Sequence, residues 1–463
     1  MASRRPQLQL AALVAVLLAC GEDAQAPTLR RIAFVTIVPV ATTLAPGDTL
    51  TLSAFPRDST GQSVGVRPVS WTTSSPDVVR IDSTGLARAI GPGTATITAT
   101  IDGVPGEATI VVVAPLITMS FVSVSAGGHH TCAIGSPSVV LCWGRNKDGQ
   151  LGDGTFVTPA QPTPVPIDGS IVEVVTGARH TCALSETGNV VCWGWNASGQ
   201  AGTHVGLDKR LTEPTPIDAQ GPFTMLAAGN AHNCALTEAG SASCWGSNEI
   251  GQLGTASAGG TTTTTPGPFA DIDAGHAHTC AVTASGETWC WGWNAFHQLG
   301  ADAVITECAQ NVPCSPQPQR LTGLPRVISV RAGFAFTCAL AVDDGTWCLG
   351  LGVDGQLGTG ARTSSAVPVM VAGGHRFLAI DAGAAHACGI TESGEAWCWG
   401  SNRSGQLGDG TRVDRDAPVR VTIVDRPITR LSAGESHTCA VFGDGRIGCW
   451  GSAGDGRLGP FAR

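Results

Sequence analysis

HTCALSETGNVVCWGWNASGQ, residues 180–200, can be folded into a hairpin from its own residues. Glu186-Thr187-Gly188 reads as a three-residue loop in which Gly188 takes the left-handed position. Ser185 then faces Asn189, Leu184 faces Val190 and Cys182 faces Cys192. Counting outward from a hydrogen-bonded closing pair puts the cysteines at a non-hydrogen-bonded pair, where opposite Cα atoms lie about 4.5 Å apart. A disulfide spans that distance. The same residues could also serve a metal. His180 and Cys182, two apart on a strand, point to one side, and Cys192 opposite makes a third zinc-ligand type. The spacing lacks the close Cys-x-x-Cys knuckle, so the reading favours disulfides and no metal, with buried free thiols as the remaining alternative.

Working outward, near-copies of this stretch fill the chain from residue 115 to residue 463 at a spacing of roughly fifty residues, each one supersecondary unit of a closed or stacked array. A Gly is followed three residues later by His130, His180, His232, His278, His386 or His437, with Phe336 in the fifth copy. The paired cysteines are Cys132 with Cys142, Cys182 with Cys192, Cys234 with Cys244, Cys280 with Cys290, Cys338 with Cys348, Cys388 with Cys398 and Cys439 with Cys449. Trp-Gly usually follows, and a segment such as Asn402 to Gly408 closes most copies. The turn glycine recurs at Gly240, Gly286, Gly394 and Gly445; copy one has Ser138 there, and copy five shifts its glycine to Gly345.

Composition agrees with an all-β chain. It holds 61 Gly, 28 Pro and no Tyr, with hardly any helical periodicity. The formal net charge is −9 and the only lysines are Lys147 and Lys209. No basic stripe exists to displace counterions from a phosphate backbone, which argues against nucleic acid as a partner.

Arg4 and Arg5, the apolar run Leu8 to Ala19, and Leu17-Leu18-Ala19-Cys20 have the layout of an export signal too short to span a bilayer. The ending resembles a bacterial lipobox, which would make residues 1–20 a lipoprotein signal peptide with Cys20 lipidated and residues 21–30 a tether. The expected location is the cell envelope, anchored to a membrane and facing the periplasm or the exterior; an ordinary signal peptide and a secreted protein is the alternative. The 17 cysteines then divide into Cys20, seven pairs, and Cys308 with Cys314.

Residues 31–114 alternate with period two, with Leu50, Leu52 and Ala54 on one strand face and Ala95, Ile97, Ala99 and Ile101 on another. Strands this short around Trp71 suit a β-sandwich. The order GDTLTLSA, VSWTTSSPDVVRID, STGLARAIGPGTATITAT resembles bacterial immunoglobulin-like domains of invasin and intimin type, which implies a spacer or adhesive module. Gly61-Gln62-Ser63-Val64-Gly65 satisfies G-x-S-x-G, but in a loop with no helix following it is a chance match.

From residue 115, the recurring Gly-x-x-His, Trp-Gly and Gly-Gln-Leu-Gly signals resemble the repeat of the regulator of chromosome condensation family, whose seven copies form a seven-bladed β-propeller. Related repeats keep the His without the cysteines, which gives the His a structural task of its own. Copy five departs with Phe336, Leu349 and Gly352, copy four with His297 for Gly, and copy seven with Ala453 and Arg457, so these blades are expected to be irregular. Because the chain stops soon after copy seven, Pro115 to Ser120, or a residue or two either side, is expected to supply that blade's missing strand.

Three functions compete. The preferred one is a non-enzymatic, surface-tethered binding or adhesion protein, needing no cofactor, with an unknown protein or glycan as partner. Propeller-type β-lactamase inhibitory proteins show that bacterial relatives can bind proteins tightly. The alternative is a hydrolase or lyase acting on polysaccharide or peptide, for which no catalytic constellation stands out. The exchange-factor role of the chromatin-bound relative conflicts with an exported, acidic chain. The segments between Leu-Gly and the next proline-rich strand vary most in length, notably 301–320 and the Thr261 to Thr265 region, and should crowd one face. Trp195 and Trp293, at a position held by Arg145, Ser247 or Ser401 in other copies, are the candidate binding residues.

Overall fold

A computed structural model describes residues 31–113, 119–202, 209–219, 221–255, 267–343 and 345–463. The proposed signal, tether, Cys20 and the Thr261 to Thr265 segment lie outside the described residues.

The N-terminal unit is a sandwich. Ala41–Leu44, Val104–Val112, Gly93–Ile101 and Ser70–Thr73 form one sheet, in that order, and Thr49–Thr51, Leu86–Ala89 and Val79–Ile81 a second. Ala95, Ile97, Ala99 and Ile101 are fully buried from alternate positions of one strand, and Trp71 packs against their cluster. Residues 61–65 form a turn in which Ser63 bridges Arg57, with no helix beyond it.

Seven antiparallel sheets follow. In blade two the inner strand Ile171–Thr176 pairs with His180–Ser185, that with Val190–Trp195, and that with the outer Arg210–Pro216. The hairpin is the one read from the sequence: Gly188 has φ +82°, the Ser185 N–H donates to the Asn189 carbonyl at 2.9 Å, and Cys182 pairs with Cys192. Blades one, five and six share this four-stranded plan, blade four adds a fifth short strand, Thr306–Glu307, outside its Pro313–Arg320, and blade three shows three strands among the described residues. Each interface is filled by leucine, isoleucine or valine and by the Trp of the Trp-Gly motif, or by Leu349 in its place between blades four and five. Trp193, for example, is fully buried with Leu151 and Val165 of blade one and with Ile171 and Val174 of its own inner strand.

One expectation is corrected. The divergent copies four and five keep the common register. Cys280 pairs with Cys290 and Cys338 with Cys348 in the register of every other blade, and His297 occupies a left-handed conformation with φ +62°, as the glycine it replaces would. Of Pro115 to Ser120, expected to complete blade seven, residues 115–118 lie outside the described residues, and Met119 packs in one cluster with Val441 and Ile447 of that blade. On the edge of blade seven, where other blades pair their second cysteine with an outer strand, Cys449 forms a parallel bridge to Ala462, and the Arg463 N–H donates to the Cys449 carbonyl at 2.9 Å. The last residues of the chain fold back and cover that edge themselves, which leaves fewer open backbone groups.

Candidate binding face

The landmark histidines are the bolts of the ring. The Nε2 atoms of His130, His180, His232, His278, His386 and His437 lie 2.8 to 3.0 Å from Thr181, Asn233, Thr279, Thr337, Thr438 and Thr131 of the next blade. In blade two the Thr181 hydroxyl has one hydrogen, which it donates to the Gln150 carbonyl at 2.8 Å, so Nε2 of His130 must carry the proton. That carbonyl also accepts the Trp193 indole N–H at 2.9 Å. Burial without a charge partner holds the imidazoles neutral, lowering His130, His232 and His278 to about 3 and His180 and His386 to about 4. The preceding glycine is obligatory because a Cβ on Gly177 would collide with the His180 ring. With Cys182 bonded to Cys192, both sulfurs that the zinc reading needs are engaged in a disulfide.

Every cysteine pair read from the repeats is a disulfide between the second and third strands of its own blade. Cys132 is bonded to Cys142, Cys182 to Cys192, Cys234 to Cys244 and Cys280 to Cys290, each at a Cα separation of 4.0 to 4.1 Å. Cys338 is bonded to Cys348, Cys388 to Cys398 and Cys439 to Cys449 over the same 4.0 to 4.1 Å. These separations are close to the roughly 4.5 Å expected of a non-hydrogen-bonded pair. Cys308 is joined to Cys314 within one loop, with Cα atoms 5.9 Å apart. Each blade is therefore fastened within itself by a cystine and to its neighbour by the histidine. One junction differs. Phe336 replaces the histidine of blade five and Ala387 the threonine of blade six, and both are buried in one apolar cluster, so donor and acceptor are lost together.

On this rigid ring the variable residues gather at one end. Second and third strands are antiparallel, with His180 opposite Gly194, so the turn before the second strand and the long loop after the third leave on the same face. The residues between the landmark Gly and His line the channel mouth there, an opening of about 300 Å³. From blade one to blade seven these pairs read Gly-His, Ala-Arg, Asn-Ala, His-Ala, Phe-Ala, Ala-Ala and Glu-Ser. Variation inside an otherwise constant motif is a signal that the sequence reading passed over. It places His129, Arg179, His276, Phe334 and Glu435 around the opening.

Trp195 and Trp293 both lie on this face, half-buried at equivalent positions, but in separate sites. The Arg179 guanidinium covers Trp195, 4.9 Å from its ring, and is fixed by Asp148 at 2.8 Å. Trp293 belongs instead to an aromatic cluster. Phe296 and Phe334 meet it edge to face at 5.5 and 5.7 Å, and His276 stacks on Phe334 at 4.1 Å. Beside it stands the loop braced by Cys308 and Cys314, whose Cys314 pairs with Trp293.

Below the mouth the channel is lined by acidic side chains not singled out from the sequence. Glu173, Asp271, Asp273 and Asp381 accept the N–H groups of Leu226, Val330, Ala332 and Ala433 on the next inner strand, at 2.7 to 2.9 Å. Arg331 pairs with Asp271 at 3.0 Å. Burial raises Glu173 and Asp273 to about 7 and pushes Asp381 up as well. These carboxylates staple exposed strand edges, each engaged by backbone. Among the described residues no three His, Cys, Asp or Glu side chains converge to hold a metal.

Comparison with known proteins agrees with this geometry. Residues 31–112 match the bacterial Ig-like domain (group 2), and residues 103–424 match the RCC1-like domain. The latter match starts just ahead of the last sandwich strand, Val104–Val112, and stops before blade seven. No curated protein matches the chain. Among solved structures, human WBSCR16 is 22% identical with a TM-score of 0.62, over 79% of this chain and 92% of that one. Prp20p from Saccharomyces cerevisiae is 20% identical with a TM-score of 0.58, over 80% and 90%. Yeast RCC1 (Prp20) with bound Kap60 is 22% identical with a TM-score of 0.58, over 68% and 78%. At these identities the likeness shows the fold, and with the matched repeat covering well over half its length the chain belongs to the RCC1-like domain family.

Proposed function

We propose that the chain is a non-enzymatic binding or adhesion protein, exported and lipid-anchored through Cys20, that recognises a partner with the loop face of its propeller. The observation that carries the reading is the contrast on one ring. Cystines and buried histidines repeat almost without change, while the residues around the channel mouth and the loops beside it differ from blade to blade. A scaffold need would hold both constant. In support, the solved propellers include yeast RCC1 bound to Kap60 and Prp20p, described by its binding to Gsp1p and histones. The bacterial Ig-like domain and eight disulfides are in keeping with an oxidising, extracytoplasmic compartment. The carboxylates of the channel are engaged by backbone N–H groups, so no observation favours the hydrolase or lyase alternative.

The test is site-directed photo-crosslinking in the native envelope. A crosslinker at Phe334 on the loop face should capture a discrete partner, and one at Glu238 on the opposite hairpin should not. Capture from Glu238 alone, or turnover of a polysaccharide or peptide by the purified protein, would refute the reading. Cys20→Ala should release the protein from the membrane fraction, and retention there would remove the lipid anchor.

A further inference from the structure

The charge of this chain is concentrated in one sector. Between Arg210 and Arg320 there is no lysine or arginine, and the nine acidic residues of that stretch carry the whole formal net charge of −9. Elsewhere 27 acidic residues are balanced by 27 basic ones. The stretch runs from the outer strand of blade two through blades three and four, and on the loop face of the latter two it sets Glu249, Asp302 and Glu307, all exposed. Among the described residues none of these three carboxylates pairs with a cation. The Ala309 N–H donates to the Glu249 carbonyl at 3.3 Å, so the cystine-braced loop that bears Asp302 and Glu307 lies against the loop of blade three.

The aromatic cluster of Trp293 stands in this same sector. Phe334 is 40% exposed, Phe296 37%, and Val304 and Ile305 of the braced loop 67% and 41%. Blade two shows what such a tryptophan takes. The Trp195 N–H donates to the Arg179 carbonyl, and the same residue's guanidinium covers the indole. In blade four the Trp293 N–H donates to the Ala277 carbonyl in the identical arrangement, but Ala277 has no cation to offer. Among the described residues no arginine or lysine lies over Trp293, although the pattern of blade two would put one there.

We infer that the Trp293–Phe296–Phe334 patch with its flanking Glu249, Asp302 and Glu307 is the docking site for a basic segment of a partner protein, one that presents arginine side chains to the aromatic rings. The inference rests on reading the propeller as a binding scaffold and adds which sector binds and what chemistry it selects. Charge complementarity decides for a basic peptide over a glycan. A neutral sugar would gain nothing from the three carboxylates, whereas a guanidinium gains from them and from the quadrupole of the rings. The carboxylates also steer a cationic partner towards this sector before contact.

The test uses the full chain and a fluorescein-labelled octapeptide of alternating glycine and arginine, titrated at low salt, beside the same peptide with citrulline for arginine and a neutral hexasaccharide of N-acetylglucosamine. The arginine peptide should bind and the other two should not. Affinity should fall at least about tenfold in the double variant Trp293→Ala with Phe334→Ala. It should fall similarly in the triple variant Glu249→Gln with Asp302→Asn and Glu307→Gln, whose exposed changes leave folding intact, and stay within about twofold in Trp195→Ala. Equal binding of the citrulline peptide, binding of the saccharide alone, no binding at all, or indifference to the acidic triple variant would each overturn the assignment. So would self-association of the chain that the acidic triple variant abolishes, since the occupant would then be a second copy. A partner crosslinked from Phe334 but unaffected by these variants would sink this site and leave the scaffold reading standing.

Discussion

His437 in the last blade donates its Nε2 proton to Thr131 in the first at 2.8 Å, closing the ring across 306 residues of chain. Thr131 passes its own proton to the Arg457 carbonyl at 2.9 Å, which also accepts the Trp143 indole N–H at 2.9 Å. Arg457 stands where other copies have glutamine, and its guanidinium donates to the Gly128 carbonyl of blade one at 2.9 Å. The substitution thus adds a cross-blade bond at the one junction made without chain continuity. Thr131→Val keeps the volume but leaves a buried imidazole N–H unpaired. It should cost about 1 to 3 kcal/mol in denaturant unfolding with an unchanged m-value. A loss below about 0.5 kcal/mol would mean that Arg457 alone holds the junction.

The junction between blades five and six offers a double-mutant cycle. Phe336→His alone buries an imidazole facing Ala387, with no acceptor for its proton, and should destabilise by about 1 to 3 kcal/mol. Ala387→Thr alone crowds a hydroxyl against Phe336. Together the two changes rebuild the histidine–threonine pair that bolts blade one to blade two, and the Gln356 carbonyl, which now accepts only Trp399 of that blade, is placed to take the new hydroxyl proton. The double variant should recover most of the loss, giving a favourable coupling above about 1 kcal/mol. Additive losses would show that blade five has adapted around its phenylalanine.

Acid should loosen the ring well before it denatures typical carboxylate-paired proteins. The six buried histidines have folded pKa values far below the ordinary 6.5, so the unfolded chain binds more protons below that pH, and stability falls as pH drops from about 6.5 towards 3 to 4. From pH 7 to pH 5 each costs about 2 kcal/mol. Glu173 and Asp273, raised to about 7, take up protons in the folded state over the same range and oppose the trend, and Asp381 is raised in the same direction. Six groups against three leave a net loss. The melting temperature should therefore drop between pH 7 and pH 5, with net proton uptake on unfolding measured in weakly buffered solution. A flat profile would mean that the imidazoles are charged in the fold.

The sequence carried the blade because the blade is local. Cys182 and Cys192 are ten residues apart, and one turn glycine sets their register. Cys132 and Cys142 keep the same spacing and pairing although Ser138 stands in place of that glycine, so the strands as well as the turn fix the register. The bolts between blades were half visible. His-Thr-Cys recurs in plain sight, but the histidine's partner lies one repeat further on, so the joint loss at Phe336 and Ala387 has meaning only once blade order is known. Trp195 and Trp293 were correctly set apart as variable, yet nothing local distinguishes them. The difference is one residue two places after the landmark glycine, Arg179 in one blade and Ala277 in the other. The channel carboxylates were invisible because their partners are backbone N–H groups, which no residue type announces.

The part that the C-terminal tail plays at the open edge of blade seven was not foreseen from the sequence. Counting strands left one edge open and pointed to the N-terminal side for a cover, because propellers are often closed by pairing the two ends of the chain. A short C-terminal tail can do the work without forming a regular strand. After Arg457 the chain crosses to blade one. There Phe461 packs on Trp143 at 5.0 Å and edge to face on Phe121 at 5.7 Å, while Ala462 and Arg463 return to bridge Cys449. Phe461 therefore ties the tail to blade one through side chains, and the two residues after it fasten the tail to blade seven through backbone. Phe461→Ala should remove two ring contacts and part of the cover over Trp143, a loss of about 2 to 4 kcal/mol given that the phenyl ring is only half-buried. Deleting Ala462 and Arg463 alone should cost less, about 1 kcal/mol, because it removes one backbone bond and reopens an edge that water can satisfy. The order of the two effects is the test. If the two-residue deletion proves the more damaging, the edge bridge to Cys449 and not the aromatic clasp holds the ring closed.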